Sequence, residues 1–199
     1  MTESSKVYYE CCHEAGHALL RFLRGDTLLS IRVDIHSDGD AAHPRPGPRG
    51  SSDSRAKERE CSCGGYVRNH APEVDPTGTG SAISLNPNCK ECTESIVTHL
   101  ASIYAGARAT KVLVPALHDK RDAQFDDAAV KDLFQKFPFH PTLKRQLVNR
   151  AKAMAIDTVI REQKAIRELA RRLEASGGRL TGDEAGEIIR SNLVSTTLG

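Results

Sequence analysis

The chain has 199 residues, of which 28 are Lys or Arg and 26 are Asp or Glu, so its formal net charge is +2. A length of this order fits one domain with appendages, and we take residues 1–199 as a single domain. The balanced charge, the aromatic content of 5% and the absence of Trp argue against a nucleic-acid partner. No apolar run reaches the roughly 18 residues that a membrane span requires, so no span is expected.

The first predicted element is a helix that carries an H-E-x-x-H motif. Apolar residues recur at three- and four-residue spacings over residues 7–23, which is typical of a helix with one buried face. His13 and His17 lie one turn apart on that helix, so both imidazoles can reach one zinc ion. Glu14 is then the candidate catalytic base, because a carboxylate beside the metal can take a proton from water and later deliver it to a leaving amine. The alternative is a chance placement of these three side chains on an amphipathic helix.

The helix interior also contains a glycine between the two histidines. Gly16 carries a helix penalty of roughly 1 kcal/mol relative to alanine. Its presence therefore suggests that another backbone or a substrate approaches closely there, and a simple packing reason is an equal alternative.

Residues 29–35 alternate apolar and polar side chains, which predicts a half-buried strand and hence a small hairpin or sheet near the N-terminus. Residues 43–60 are rich in Pro, Ser and Gly and are expected to form a flexible loop. Tyr66 and Val67 are expected to form a second short strand. In a peptidase, residues 31–35 or Tyr66 and Val67 could hold the substrate backbone by strand addition, and an ordinary cover for the core is the alternative.

Four cysteines suggest a second metal site within an insertion at about residues 61–92. Cys61 and Cys63 form a C-x-C pair, and Cys89 and Cys92 form a C-x-x-C pair, each near turn-forming residues. Such pairs suit a structural zinc ion, whereas a redox-sensitive disulfide or unpaired thiols are the alternatives. The N-terminus has no basic-then-apolar signal sequence, so we expect a cytoplasmic protein without stable disulfides.

The rest of the chain is predicted to be helical. One helix contains residues 96–104, another begins near Phe125, and a long one carries an apolar stripe over residues 143–173. Thr181 and Glu184 have the spacing of a capping box and predict the start of a last helix. The predicted fold class is therefore α+β, mainly α.

Four segments resemble the FtsH peptidase family in the same order. Residues 7–20, with H-E-A-G-H-A, resemble its zinc-binding helix, and residues 101–109 are similar to its L-x-G-R-A-A-E helix, with Thr110 in place of the glutamate. Residues 125–130 are similar to its N-D-L-x-x-A segment, and residues 166–184 resemble its terminal helices. The resemblance implies a helical zinc-metallopeptidase domain. The chain lacks a G-x-x-x-x-G-K-[ST] loop, so it resembles a stand-alone peptidase domain without the ATPase module.

The resemblance places the third zinc ligand at an aspartate of the segment that starts at Phe125. Counting about 100° per residue, Asp126 shares a face with Val130 and Leu133, whereas Asp127 is turned toward Lys131. We therefore expect Asp126 to bind the metal, with Asp127 in reserve. The alternative is that both aspartates only favour the start of a helix.

The predicted function is a zinc-dependent endopeptidase that acts on a protein or peptide substrate and needs no ATP in this chain. Its expected cofactor is a catalytic Zn²⁺, with a second structural Zn²⁺ if the four cysteines bind one. A separate ATPase or an oligomeric partner is a candidate for substrate delivery. The alternative is a catalytically inactive, peptidase-like binding or adaptor protein with structural zinc.

Overall fold

The computed structural model describes residues 3–33, 50–55, 59–60, 66–67, 89–118, 122–135 and 139–194. The helices are α1 (Glu3–Arg24), α2 (Lys90–Leu113), α3 (Asp122–Gln135), α4 (Pro141–Arg161), α5 (Gln163–Ala175) and α6 (Gly182–Asn192). The strands are β1 (Thr27–Val33), β2 (Gly50–Arg55), β3 (Arg59–Glu60), β4 (Tyr66–Val67) and β5 (Arg179–Thr181). The predicted fold class, α+β and mainly α, is confirmed. None of the described helices is long and apolar enough to cross a membrane.

The core lies between α1, α2, α4 and α5. α2 packs against both α1 and α4, and α1 packs on its other side against α5. Leu19, Leu100 and Leu169 are fully buried where these helices meet. Cys11 and Cys12 are also fully buried, as small core residues should be. Burial raises the pKa of Cys11 to about 12 and that of Cys12 to about 11, so both thiols stay protonated at neutral pH.

α1 ends in a Schellman motif, after which the chain enters the first strand. The backbone N–H of Gly25 donates to the carbonyl of Phe22, and the N–H of Asp26 donates to the carbonyl of Arg21. Gly25 has a φ of 89°, which a residue without a Cβ adopts at little cost. The sheet therefore starts directly beside the C-terminal end of the H-E-x-x-H helix.

β1 is the central strand of a three-stranded sheet with the order β2-β1-β5, and both pairings are antiparallel. The register of β1 with β2 shifts between Leu28 and Ser30, which marks a bulge. Leu28 is buried and Leu29 is 54% exposed as a result, whereas Ile31 and Val33 are buried. The simple alternation predicted from Leu29 is therefore wrong at its first residue, because the bulge inserts one residue and turns Leu29 outward.

Two further expectations about this region are wrong. Residues 50–55 and 59–60 lie within the predicted loop but form β2 and β3, because backbone pairing with β1 and β4 compensates for their polar side chains. β1 has β2 on one side and β5 on the other over Ser30, Ile31 and Arg32, so it offers no edge to a substrate there. The remaining part of that predicted edge, residues 34 and 35, lies outside the described residues.

The predicted long helix over residues 143–173 is two helices, α4 and α5, separated at Glu162. Glu162 has a φ of −101° and a ψ of 21°, and its buried carboxylate accepts hydrogen bonds from Arg161 Nε and from the backbone N–H of Val194. The two helices have different main partners, since α4 packs against α2 and α5 packs against α1. The predicted capping box at Thr181 and Glu184 is confirmed at the start of α6.

Candidate metal centre

α1 brings the two motif histidines and the intervening glutamate together. The Nε2 atoms of His13 and His17 are 3.0 Å apart, and one donor atom from each of His13, Glu14 and His17 lies within 4.8 Å of the others. Two nitrogens bound to one tetrahedral zinc at about 2.0–2.1 Å would be roughly 3.3 Å apart. The two imidazoles therefore already have nearly the spacing that a shared metal ion requires.

A close crossing of α1 and α2 surrounds these histidines. A Cβ on Gly16 would lie 2.6 Å from the carbonyl oxygen of Ala105 and 2.8 Å from the Cβ of Ala109. The backbone that was expected to approach Gly16 is thus that of α2. Gly106 lies opposite, and a Cβ there would lie 2.7 Å from Nε2 of His13 and would also overlap Nε2 of His17. The missing side chain of Gly106 leaves room in front of both ring nitrogens.

The backbone of α2 also orients His17. Nδ1 of His17 lies 2.8 Å from the carbonyl oxygen of Ser102, so the ring donates its Nδ1–H and presents the Nε2 lone pair toward His13. Burial lowers the pKa of His17 well below its usual value, and the neighbouring His13 and Arg21 lower it further. A neutral imidazole with a free Nε2 is the form that binds a metal ion.

Ser102 belongs to a polar network that the sequence did not reveal. Arg24 forms an ion pair with the buried Asp26, and its Nη1 lies 2.6 Å from Nδ1 of His99 and 3.5 Å from Oγ of Ser102. Burial and the positive charge of Arg24 lower the pKa of His99 to about 3, so this ring is neutral and accepts from Arg24. His99 has no ligand-like spacing in the sequence, and only the crossing of α1 with α2 brings it to Arg24.

α3 delivers a carboxylate to the same place. Asp126 is buried, and its Oδ1 lies 3.9 Å from Nε2 of His17. Asp127 is exposed and points away from the histidines. Its Oδ1 accepts from the hydroxyl of Tyr104 at 3.3 Å and lies 3.6 Å from Nζ of Lys152. The structure thus brings Asp126, and not the reserve residue Asp127, to the histidines.

The structure describes two of the four cysteines of the predicted second zinc site. Cys89 is half-buried and precedes the first turn of α2, and Cys92 is buried within that turn. Neither forms a disulfide with another described cysteine. Cys61 and Cys63 lie outside the described residues, so the second zinc site stays a prediction.

Thr110 lies on α2 where the resembling family has a glutamate. It is fully buried, its hydroxyl donates to the carbonyl of Ala107, and Nδ1 of His118 lies 3.3 Å away. Thr110 therefore ties the end of α2 to the segment that follows it and supplies no carboxylate to the metal centre.

The residues present fit a metal ion. His13, Glu14 and His17 form a group that can hold one, and Asp126 adds a second carboxylate at its edge. Imidazole nitrogens and carboxylate oxygens are typical zinc ligands. Because Gly106 has no side chain, space for the ion remains beside both ring nitrogens.

Comparison of the chain with models of known protein families finds no match. Comparison with curated proteins finds none either. The resemblance to the FtsH peptidase family therefore stays a prediction that rests on the quoted motifs, and the case for a function rests on the geometry of the candidate metal centre.

Proposed function

We propose that this protein is a zinc-dependent endopeptidase. The observation that carries the proposal is the convergence of His13, His17 and Asp126 from two helices, with the buried carboxylate of Glu14 beside them. Two imidazoles and one carboxylate leave one position of a tetrahedral metal for water, which is the arrangement of a catalytic zinc site. A structural zinc site usually has four protein ligands instead.

In this proposal, His13, His17 and Asp126 hold the ion and Glu14 is the catalytic base. Bound zinc would supply a Lewis acid that lowers the pKa of water and polarises the scissile carbonyl. Asp126 also offsets the positive charge, and its burial strengthens that interaction because little water screens it. The carbonyl of Ser102 keeps His17 in the tautomer that binds.

Glu14 would move the proton during peptide hydrolysis. As a base it accepts a proton from the attacking water, and as an acid it passes that proton to the nitrogen of the departing amine. The two transfers need one carboxylate that changes its protonation state within a turnover. A glutamate that is largely shielded from bulk water suits this role, because solvent does not compete for the proton.

The test compares Glu14→Gln with the unaltered chain. We expect Glu14→Gln to keep its zinc, measured by elemental analysis after gel filtration, and to cleave unfolded casein about 100-fold to 10,000-fold more slowly. Glu10→Gln, which changes a half-buried carboxylate one turn earlier on α1, is the matched control and should keep full activity.

Histidine variants test where the metal binds. His13→Ala and His17→Ala should each lose zinc, whereas His140→Ala, which removes an exposed imidazole at the start of α4, should keep it. Chelator-resistant cleavage of casein, or full cleavage by Glu14→Gln, would contradict the proposed mechanism. A full zinc site without cleavage of any unfolded substrate would instead favour the binding or adaptor protein.

A further inference from the structure

The reserve aspartate, Asp127, takes part in a group of side chains that joins three helices. Tyr104 comes from α2, Asp127 from α3 and Lys152 from α4. The hydroxyl of Tyr104 donates to Oδ1 of Asp127 at 3.3 Å, and Nζ of Lys152 lies 3.6 Å from the same oxygen. Lys152 also lies over the ring of Tyr104, with Nζ 4.6 Å from its centroid. Each member therefore contacts the other two.

α3 also buries Val130 and Phe134 in the core. Of the described elements, it packs mainly against α2. Near its C-terminal end, Nζ of Lys144 donates to the carbonyl of Phe134 and lies 5.5 Å from the centroid of that ring. Two lysines of α4 thus hold α3 at two places about two turns apart. Lys144 contacts α3 near its C-terminal end, whereas Lys152 contacts Asp127, the residue next to Asp126.

The helix fixes the direction of Asp126 relative to that of Asp127. Consecutive residues of a helix are about 100° apart around its axis. If Asp127 is held toward Tyr104 and Lys152, Asp126 is directed to one side of that contact, where Nε2 of His17 lies. A rotation of α3 by a fraction of a turn, or a movement of α3 away from α2, would separate the carboxylate of Asp126 from the histidines.

We propose that Tyr104, Asp127 and Lys152 form a clamp that positions Asp126 for the metal ion. This inference rests on the proposed metal site and adds three positioning residues that do not bind the metal. Tyr104 is buried, whereas Asp127 and Lys152 reach solvent. An exposed ion pair adds little to global stability, and we therefore expect the clamp to act on metal affinity and not on the unfolding of the core.

The test is a double-mutant cycle on zinc affinity, measured by competition with a chromogenic chelator. Asp127→Ala should weaken zinc binding about 10-fold, at the lower end of the effect of residues that orient metal ligands. In a chain that already carries Asp126→Ala, the same change should have almost no further effect, because no carboxylate is left to position. Equal weakening in both backgrounds would overturn the clamp and assign the effect to the charge of Asp127.

The other two members allow a graded test. Tyr104→Phe removes the hydroxyl and keeps the ring under Lys152, so it should weaken zinc binding less than Asp127→Ala. Lys152→Met should also weaken zinc binding. Lys152→Arg should leave the zinc affinity unchanged, since arginine keeps a cation for both the carboxylate and the ring.

The pair of Glu94 and Arg150 is the matched control. Nη2 of Arg150 lies 2.5 Å from Oε1 of Glu94, and this ion pair also joins α2 and α4 with both side chains partly exposed. Glu94→Gln should leave zinc affinity unchanged. A 10-fold loss in Glu94→Gln would mean that any contact between these helices matters, and would overturn a specific clamp.

Hydrogen exchange separates failure of the clamp from failure of the proposed function. In the metal-free protein, Asp127→Ala should speed amide exchange in α3 and leave α1 and α2 unchanged. Unchanged exchange in α3 would overturn the clamp, whatever the protein does with zinc. If the unaltered chain binds no zinc, the proposed function fails and the clamp loses its role in metal binding.

Discussion

The crossing of α1 with α2 and the attachment of α3 hold their parts of the metal centre in different ways. At the crossing, Gly16 lets the backbone of α2 approach α1 closely, and Gly106 places no side chain between α2 and the two histidines. α3 buries Val130 and Phe134 in the core and packs against α2, and polar side chains of α2 and α4 add contacts at the surface. Close backbone packing thus positions the two nitrogens, whereas the position of Asp126 also depends on hydrogen bonds and charge.

The difference suggests how the centre would respond to disturbance. A close-packed contact cannot adjust to an added methyl group, because the surrounding atoms are already in contact. A contact made by lysine and aspartate side chains can loosen and re-form at little cost. We therefore expect the His pair to be present before a metal ion binds, and Asp126 to be the ligand whose position responds most to mutation.

Gly106→Ala should have the largest effect on zinc binding. The added Cβ would overlap Nε2 of His17 and lie 2.7 Å from Nε2 of His13, so the methyl group takes the place of the metal. We expect zinc affinity to fall by more than about 100-fold, beyond the usual effect of residues that only orient ligands. Chelator competition measures it.

Gly186→Ala is the control for that prediction. Gly186 is also a buried helical glycine, but its added Cβ would meet the flexible end of Arg190 at 3.0 Å and not a ligand. It should keep full zinc affinity and gain about 1 kcal/mol of helix stability. Normal zinc binding by Gly106→Ala would show that the crossing is looser than the structure indicates.

Gly16→Ala should have an intermediate effect and tests how tightly α1 and α2 cross. Its Cβ would lie 2.6 Å from the backbone oxygen of Ala105, which cannot move without shifting α2. We expect the free energy of unfolding to fall by about 1–3 kcal/mol, despite the gain in helix propensity. Urea denaturation of the metal-free protein measures it. Stabilisation like that expected of Gly186→Ala would contradict a tight crossing.

His99→Asn should have the smallest effect at neutral pH and tests the polar network of Arg24. The pKa of His99 is lowered to about 3 in the folded protein, against about 6.5 when unfolded. Between these values the unfolded chain binds more protons, so stability is fully present above pH 6.5 and falls as the pH is lowered. This one group should contribute a slope of at most about 1.4 kcal/mol per pH unit.

The His99→Asn variant should lose that part of the slope, because asparagine keeps an acceptor for Arg24 but does not titrate. Unfolding of the metal-free protein is measured from pH 4 to pH 7 with and without the change, and only the difference between the two slopes is assigned to His99. Identical slopes would mean that the pKa of His99 is the same in the folded and the unfolded protein.

The sequence predicted the parts of this protein that depend on local spacing. The pairing of His13 with His17 follows from the helical repeat, and the capping box of Thr181 and Glu184 follows from a short motif. The inward face of α3 was predicted in the same way, and Asp126 is buried as its spacing from Val130 indicates. In each case the residues that the prediction needs lie within a few positions of one another in the chain.

Other features of the fold and of the metal centre follow from contacts between elements, which only the tertiary structure shows. Leu29 faces outward because of a bulge formed with β2, and the predicted long helix turns at Glu162 because its halves pack against different partners. Likewise, no local pattern relates Gly106 to the histidines or Asp127 to Tyr104 and Lys152. A helical repeat determines which face a residue occupies, but only the packing of helices determines what that face meets.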